Sequence, residues 1–219
     1  MEVESIQTEV NARAFTSQDP DAEQVKNELH YIRFEITSEK QYSNGTWDKG
    51  RGQTMLAGFM ANPKAVKANL NEAELVAMRL YTFAYKFMND PLSDDERYGR
   101  REPCLLPVTT HFAQNGIKKL RALHVASGEL TLWRGMCNRE VPDEFMRMGG
   151  TELAFMSTTR DLGVAVRFCL SQRSLLFKIV SLGFMTMGAD VQWLLAFPDE
   201  AEILYPPPPP TSSPLADRR

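Results

Sequence analysis

The sequence is poor in the two residue types that build zinc sites and disulfide frameworks, with three cysteines and three histidines in 219 residues. The cysteines are Cys104, Cys137 and Cys169, and the histidines are His30, His111 and His124. Three is an odd number, and no two of these cysteines have the CxxC spacing of a zinc or redox motif. We therefore expect reduced thiols in a cytosol-like compartment and no bound metal.

An excess of positive charge is also missing, because 25 lysines and arginines stand against 28 aspartates and glutamates, for a formal net charge of −3. Nucleic-acid-binding proteins normally have a basic excess, so we expect no nucleic-acid partner. Apolar runs such as Leu175–Phe177 are far too short to span a bilayer. The first residues, Met1–Glu4, are acidic, whereas a secretory signal starts with a basic stretch. These features predict a cytoplasmic protein without a membrane segment and leave delivery as an effector open.

Hydrophobic residues make up 43% of the chain, which is enough to build a substantial core in one domain. Helical patterns span residues 54–88 and 111–125, and alternation of polar and apolar residues predicts one strand at 30–36. Asn71 is the expected N-cap of the main helix, and Asn89–Pro91 is its expected end.

After Gly128 the pattern changes to short apolar stretches separated by glycine, proline and aspartate. We expect strands at 130–135, 153–158, 174–180 and 201–205, with a short helix at 161–170 among them. Helices followed by strands are typical of an α+β domain. Consecutive prolines at 206–210 favour polyproline II and cannot join a sheet, so we expect the fold to end near Tyr205. The proline tail is then a linker, a docking peptide for a domain with an aromatic groove, or a truncated end.

Three short segments of the strand-rich half carry residues suited to chemistry. Arg134 lies in an apolar strand, where its planar fork suits phosphate or carboxylate. A surface-facing strand position or an internal ion pair would also explain it. Hydroxyl residues end the segment Phe155–Thr159, where they bind a ligand or cap the helix that follows. Glu200 and Glu202 are expected on one face of a strand, about 7 Å apart, where each carboxylate shifts the titration of the other.

The order and spacing of these segments resemble the arginine–serine–glutamate class of arginine-specific mono-ADP-ribosyltransferases. A Ser-Thr-Thr run at 157–159 begins 23 residues after Arg134, and the Glu-x-Glu pair begins 43 residues after Ser157. The blocks LTLWRGM, GGTELAFMSTT and FPDEAEILYPP look like the family's three catalytic blocks. The stretch LYTFAYKFMNDPL is similar to the helix that lines the family's cofactor cleft. The resemblance covers about residues 130–207 and does not extend to residues 1–53.

The resemblance implies an α+β, ADP-ribosyltransferase-like fold with N-terminal helices and a two-sheet strand core around an NAD cleft. Residues 54–205 would then be the catalytic domain, residues 1–53 a polar extension or part of that domain, and residues 206–219 a proline-rich tail. Members of the family are glycosyltransferases that use NAD as a substrate and need no metal. They cleave its nicotinamide–ribose bond through an oxocarbenium-like state and pass ADP-ribose to a protein side chain.

Catalytic roles follow from the same resemblance. It implies that Arg134 holds the NAD phosphates, that Gly135 leaves room for backbone hydrogen bonds to the carboxamide, and that Ser157 orients Glu202. Glu202 would hydrogen-bond a ribose hydroxyl and stabilise the developing positive charge. Glu200 would accept or orient the incoming guanidinium, which favours a protein acceptor that presents an arginine.

Further side chains are assigned to the cleft by resemblance. The expected NAD-binding residues also include Thr158, Thr159, Tyr81 and Asn89, with Tyr85 beside them. A tyrosine stripe at helical spacing is equally what a core helix shows. Either Phe168 or Phe184 is expected to stack on nicotinamide.

The chain departs from the family where many members have Ser-Thr-Ser, and it lacks the signal sequence and disulfides of the secreted animal members. Three alternatives remain: an NAD glycohydrolase, a catalytically inactive interaction module that docks through its proline tail, and a carboxylate-pair glycosidase. Glu200 would be idle in a hydrolase, and an inactive copy has no need to retain Arg134, Ser157 and Glu202 together. Neither the target protein nor the oligomeric state follows from the sequence.

Overall fold

A computed structural model describes residues 1–12, 15, 20–34, 56–94, 104–123, 128–181 and 187–208. Phe184, residues 35–36 of the predicted strand and the proline run beyond residue 208 lie outside the described residues. The helices before the sheet are α1 (Glu2–Asn11), α2 (Pro20–Phe34), α3 (Leu56–Met60), α4 (Pro63–Lys67), α5 (Glu72–Ser93) and α6 (Pro107–Arg121). The remaining elements are β1 (Leu130–Cys137), α7 (Asp143–Met148), β2 (Met156–Thr159), α8 (Leu162–Cys169), β3 (Ser174–Ser181), β4 (Ala189–Asp190), a 3-10 helix (Pro198–Glu200) and β5 (Glu202–Tyr205).

Helix α5 is the centre of the helical layer, and its predicted N-cap at Asn71 is confirmed. The Asn71 Oδ1 accepts the backbone N–H of Glu74 at 2.8 Å, and the Glu74 carboxylate accepts the Asn71 N–H at 2.9 Å. This reciprocal capping satisfies two backbone donors at the start of the helix. The predicted end at Asn89–Pro91 is wrong, because the helix runs on to Ser93 with Pro91 in its last turn. A proline this close to a helix end removes only one hydrogen bond.

The strand predicted at residues 30–36 is wrong over its described part, because residues 30–34 form the end of helix α2. Val25, Leu29 and Ile32 follow one another at helical spacing, and all three are buried. That period places them on the α2 face that packs against α5, so burial of this face outweighs the short alternating pattern. None of the described helices is long and apolar enough to span a membrane.

A buried ion pair connects α2 to α5. The Arg79 Nε lies 2.7 Å from the Glu28 Oε1, and both side chains are 0% exposed. The Arg79 Nη1 donates to the backbone carbonyl of Leu194 at 2.7 Å, and the guanidinium carbon lies 5.5 Å from the centre of the Phe59 ring. One side chain of α5 therefore contacts α2, α3 and the segment that follows β4.

The strands of the described residues join in one antiparallel sheet with the order β3-β1-β2-β5-β4. The α+β class is confirmed, whereas the expected two-sheet core is a single sheet in this part of the chain. The reason is strand β2, which pairs with β5 over four residues and also meets β1 at Trp133↔Thr159. Because that single register pair joins β1 to β2, the two halves of the sheet share very little backbone hydrogen bonding.

The proline-rich segment begins inside the fold. Strand β5 ends at Tyr205, and Pro207 is buried with its carbonyl accepting the Gln114 side-chain N–H at 3.3 Å. Gln114 belongs to α6, so Pro207 contacts this helix.

Helix α8 lies so close to β1 that a side chain at Gly135 has no room. A Cβ atom built on Gly135 would lie 1.9 Å from the backbone oxygen of Ala165 and 3.1 Å from the backbone nitrogen of Cys169. Backbone atoms of a helix cannot move aside as a flexible side chain can. The glycine is therefore required for the contact between α8 and β1.

Gly135→Ala is expected to lower the free energy of unfolding by about 1–3 kcal/mol, the usual cost of overpacking a well-filled contact. Chemical denaturation followed by circular dichroism measures this. Gly163→Ala, on the same helix α8, is the matched control, because there the nearest neighbour of a new Cβ is the Asp161 side chain at 3.1 Å. Equal stability of the two variants would show that α8 does not pack against β1 at Gly135 as closely as the structure shows.

Candidate active site

Asn89, near the end of α5, holds the segment that leads into β2. Its Oδ1 accepts the backbone N–H of Phe155 at 3.2 Å, and its Nδ2 donates to the backbone carbonyl of the same residue at 3.4 Å. The same Nδ2 lies 3.3 Å from the Tyr81 hydroxyl. Asn89 was expected to bind NAD, and the structure shows its amide bonded to Phe155 and Tyr81. A role toward NAD stays a prediction.

Tyr81 of α5 lies near all three segments that carry the candidate site residues. It is buried, and its ring lies 5.2 Å from that of Phe155. Burial raises the pKa of Tyr81, the negative charge of Glu202 raises it further, and the Asn89 hydrogen bond and the Arg134 charge lower it. The charges of Arg134 on β1 and Glu202 on β5 therefore both change the pKa of this hydroxyl. Tyr85, one turn later, is exposed.

Glu202 is the first residue of β5 and lies opposite Thr159 of β2. It is only 9% exposed, and this burial raises its pKa to about 7, with the Ser157 hydroxyl bond lowering the pKa and the Glu200 charge raising it. Ser157 of β2 therefore lies beside this carboxyl, and its role in orienting Glu202 stays a prediction. A buried carboxyl that titrates near neutrality beside a hydroxyl donor is typical of functional sites.

Arg134 has one nitrogen engaged and one unused. Its Nη2 lies 3.0 Å from the Glu152 Oε2, so the internal ion pair considered from the sequence is present. Its Nη1 is buried and has no hydrogen-bond partner among the described residues. Since burying an unpaired donor is costly, this nitrogen suits an anionic ligand.

The geometry expected for Glu200 is wrong. Glu200 and Glu202 do not share a strand face, because Pro198–Glu200 form a 3-10 turn and Ala201 has a left-handed backbone with φ of +45°. Pro198 favours the turn, and β5 begins only at Glu202. Burial raises the pKa of Glu200, and the charge of Arg167 on α8 lowers it. The charge of Glu200 still raises the pKa of Glu202.

Thr158 and Thr159 are both buried, and their hydroxyls are used within the protein. The Thr158 hydroxyl donates to the Ile203 carbonyl at 2.8 Å, and the Thr159 hydroxyl donates to the Glu200 carbonyl at 2.6 Å. These bonds hold β2, β5 and the 3-10 turn together. Contact of either threonine with NAD remains a prediction.

Gly135 and Phe168 lie where α8 meets β1. Gly135 is needed for the close approach of α8, and its contact with a carboxamide remains a prediction. Phe168 is 52% exposed near the end of α8, so its ring is accessible to a ligand. The stacking role expected for it stays untested.

Two site residues were missed from the sequence. Glu152, the ion-pair partner of Arg134, lies within the block GGTELAFMSTT, but nothing in its spacing shows which strand its side chain contacts. Arg167, whose charge reaches Glu200, is one of several arginines on predicted helices. Neither contact is visible before the chain is folded.

Comparison with known proteins shows the fold. No family model matches the chain, and no curated protein matches it in sequence. Exoenzyme S from Pseudomonas aeruginosa, in complex with human 14-3-3 protein beta and bound to carba-NAD, matches with a TM-score of 0.46 at 20% identity over 66% of each chain. This likeness is too remote to support any inference about the chain.

Two other solved structures match with TM-scores of 0.50 and 0.51, which is high enough to compare folds. The ADP-ribosyltransferase HopU1 of Pseudomonas syringae pv. tomato DC3000 has a TM-score of 0.50 at 18% identity, covering 84% of this chain and 87% of its own. The eucaryotic mono-ADP-ribosyltransferase ART2.2 has a TM-score of 0.51 at 15% identity, covering 97% of this chain and 78% of its own. The chain therefore has the ADP-ribosyltransferase fold.

Proposed function

We propose that this protein is an NAD-dependent mono-ADP-ribosyltransferase that transfers ADP-ribose to arginine side chains of a protein acceptor and releases nicotinamide. The observation that carries the proposal is the Glu202 carboxyl, which is buried at the start of β5 and whose pKa is lowered by the neighbouring Ser157. The proposal is supported by Tyr81 of α5, because the charges of both Glu202 and Arg134 act on its hydroxyl.

The residues present suit NAD. The unpaired, buried Nη1 of Arg134 is a donor for one of its phosphate oxygens. Glu202 in its ionised form accepts a hydrogen bond from a ribose hydroxyl and stabilises positive charge at the anomeric carbon as the bond to nicotinamide breaks. Ser157 orients this carboxylate by donating a hydrogen bond to it.

Glu200 supports the choice of arginine as acceptor. Its carboxylate lies in the turn directly before β5, where its charge acts on Glu202. There it orients a guanidinium nitrogen toward the anomeric carbon. The C–N bond to nicotinamide breaks with its electron pair going to nicotinamide, a guanidinium nitrogen forms the new bond, and its proton passes to Glu200. In a glycohydrolase, water would replace the guanidinium and this orienting role would be lost.

Incubation of the protein with NAD and agmatine, a small guanidine, is expected to yield nicotinamide and ADP-ribosyl-agmatine, and Glu202→Gln is expected to abolish both. Mass spectrometry of the products measures this, with Glu129→Gln, at an exposed glutamate before β1, as the control. Nicotinamide with free ADP-ribose and no conjugate would replace the proposal by the glycohydrolase. If the protein consumes no NAD, the proposal is wrong and the inactive interaction module is the better explanation.

The pH dependence of activity and of stability should run in opposite directions. Since the ionised carboxylate is the active form, the kcat/KM for NAD is expected to rise with an apparent pKa of about 7. Since burial favours the protonated form, the stabilising contribution of Glu202 is fully present below pH 4.5 and is lost as the pH rises through about 7.

Glu202→Gln removes this titration and is expected to raise the free energy of unfolding at pH 8 by about 1–3 kcal/mol. Urea unfolding at pH 5 and pH 8 measures the difference between the variant and the wild type. If the variant loses activity while it gains stability at pH 8, the loss of activity is due to the missing carboxylate and not to unfolding. A pH-independent difference would remove Glu202 as the group that titrates near neutrality.

Glu200→Gln is expected to reduce agmatine transfer by about 100-fold, the scale of one proton-accepting group, and to change NAD hydrolysis far less. Parallel assays of conjugate and free ADP-ribose give the two rates. Asp199→Asn, at the exposed neighbouring residue of the same turn, is the matched control. Equal losses of transfer and hydrolysis would contradict the acceptor-orienting role.

A further inference from the structure

Glu152 bridges two parts of the site. Its Oε2 accepts a hydrogen bond from the Arg134 Nη2 at 3.0 Å, and its Oε1 accepts one from the backbone N–H of Ala154 at 3.3 Å. Each carboxylate oxygen is therefore held by a different partner. One carboxylate oxygen is thus bonded to the backbone of its own segment, and the other is bonded directly to the Arg134 side chain on β1.

The contact with Arg134 engages only one end of the guanidinium. An Nη2 bond to a single carboxylate oxygen leaves the hydrogens of Nη1 unused, and Nη1 is buried without a partner among the described residues. A free arginine side chain must lose considerable rotamer entropy when it binds a ligand. An anchor at Nη2 removes that freedom in advance and keeps Nη1 available.

The anchored segment is itself fixed from the other side. Ala154 precedes Phe155, whose backbone N–H and carbonyl are both bonded by Asn89 of α5. Strands β1 and β2 share a single register pair at Trp133↔Thr159, so the sheet contributes little to the placement of Arg134 relative to β2. The contacts from Asn89 through Phe155 and Glu152 supply this placement.

We propose that Glu152 is a positioning residue for the diphosphate of NAD, holding the Arg134 guanidinium in the orientation that presents Nη1 to the ligand. The identity of the anion rests on the proposed function, whereas the orientation of Arg134 does not. The Glu152 side chain is 34% exposed at the edge of the site, where water weakens its repulsion of a diphosphate.

Glu152→Ala, Glu152→Gln and the control Glu144→Ala, at an exposed glutamate of α7, test the proposal. Calorimetric titration with carba-NAD is expected to show affinity about tenfold weaker for Glu152→Ala, the typical effect of losing one preorganising contact. Glu152→Gln keeps an oxygen acceptor for Nη2 and is expected to stay within about twofold of the wild type. Circular dichroism and thermal unfolding establish that each variant is folded.

A second measurement needs no ligand. The Arg134 Nε–H resonance, assigned by its disappearance in Arg134→Lys, is expected to broaden in Glu152→Ala and to stay sharp in Glu152→Gln and Glu144→Ala. An unchanged resonance in Glu152→Ala would overturn the positioning role, and so would unchanged or tighter carba-NAD binding by that variant. Failure of the wild type to bind carba-NAD would instead refute the proposed function, and the resonance would still decide whether Glu152 orients Arg134.

Discussion

Arg79 carries a full charge into the centre of the helical layer, where both it and Glu28 are shielded from water. Removing one partner of such a pair typically costs about 3–5 kcal/mol, because the remaining charge is left buried and alone. The guanidinium also bonds the Leu194 carbonyl, in the segment between β4 and the 3-10 turn. Helix α5 is thereby fixed against α2 on one side and against the approach to Glu200 and Glu202 on the other. The same helix carries Tyr81 and Asn89, so the position of the site depends on this pair.

Helices of regular pattern could be predicted from the sequence because their signals are local. Asn71 caps α5 through a residue three positions away, and Asp161 caps α8 by accepting the N–H of Gly163 at 2.7 Å. Alternation in residues 30–36 was misleading because the α2 face that is buried extends back to Val25, beyond the short window in which the alternation holds. In the site, Ser157 and Glu202 could be named from the sequence because the resemblance rests on those two residues, and their roles remain predictions.

Contacts made by irregular segments could not be predicted. The left-handed backbone at Ala201 turns Glu200 away from the strand, and no pattern of side chains marks that residue as a turn. Glu152 reaches Arg134 across 18 residues of chain, and the sequence offered several other acidic partners. The joining of the strands into one sheet depends on one register pair, which only the folded chain determines. Local patterns therefore predict helices and strands, whereas long-range pairings determine how the candidate site residues come together.

That single register pair between β1 and β2 has an evolutionary consequence. In most sheets a shift of one strand moves every side chain on it, so distances between strands are constrained by the whole ladder. Here the spacing between Arg134 and the Ser157–Glu202 pair is governed by a few side-chain contacts at the junction. Single substitutions at such contacts can adjust this spacing without changing any strand register. The separation of these side chains can therefore change by small steps while the core stays intact.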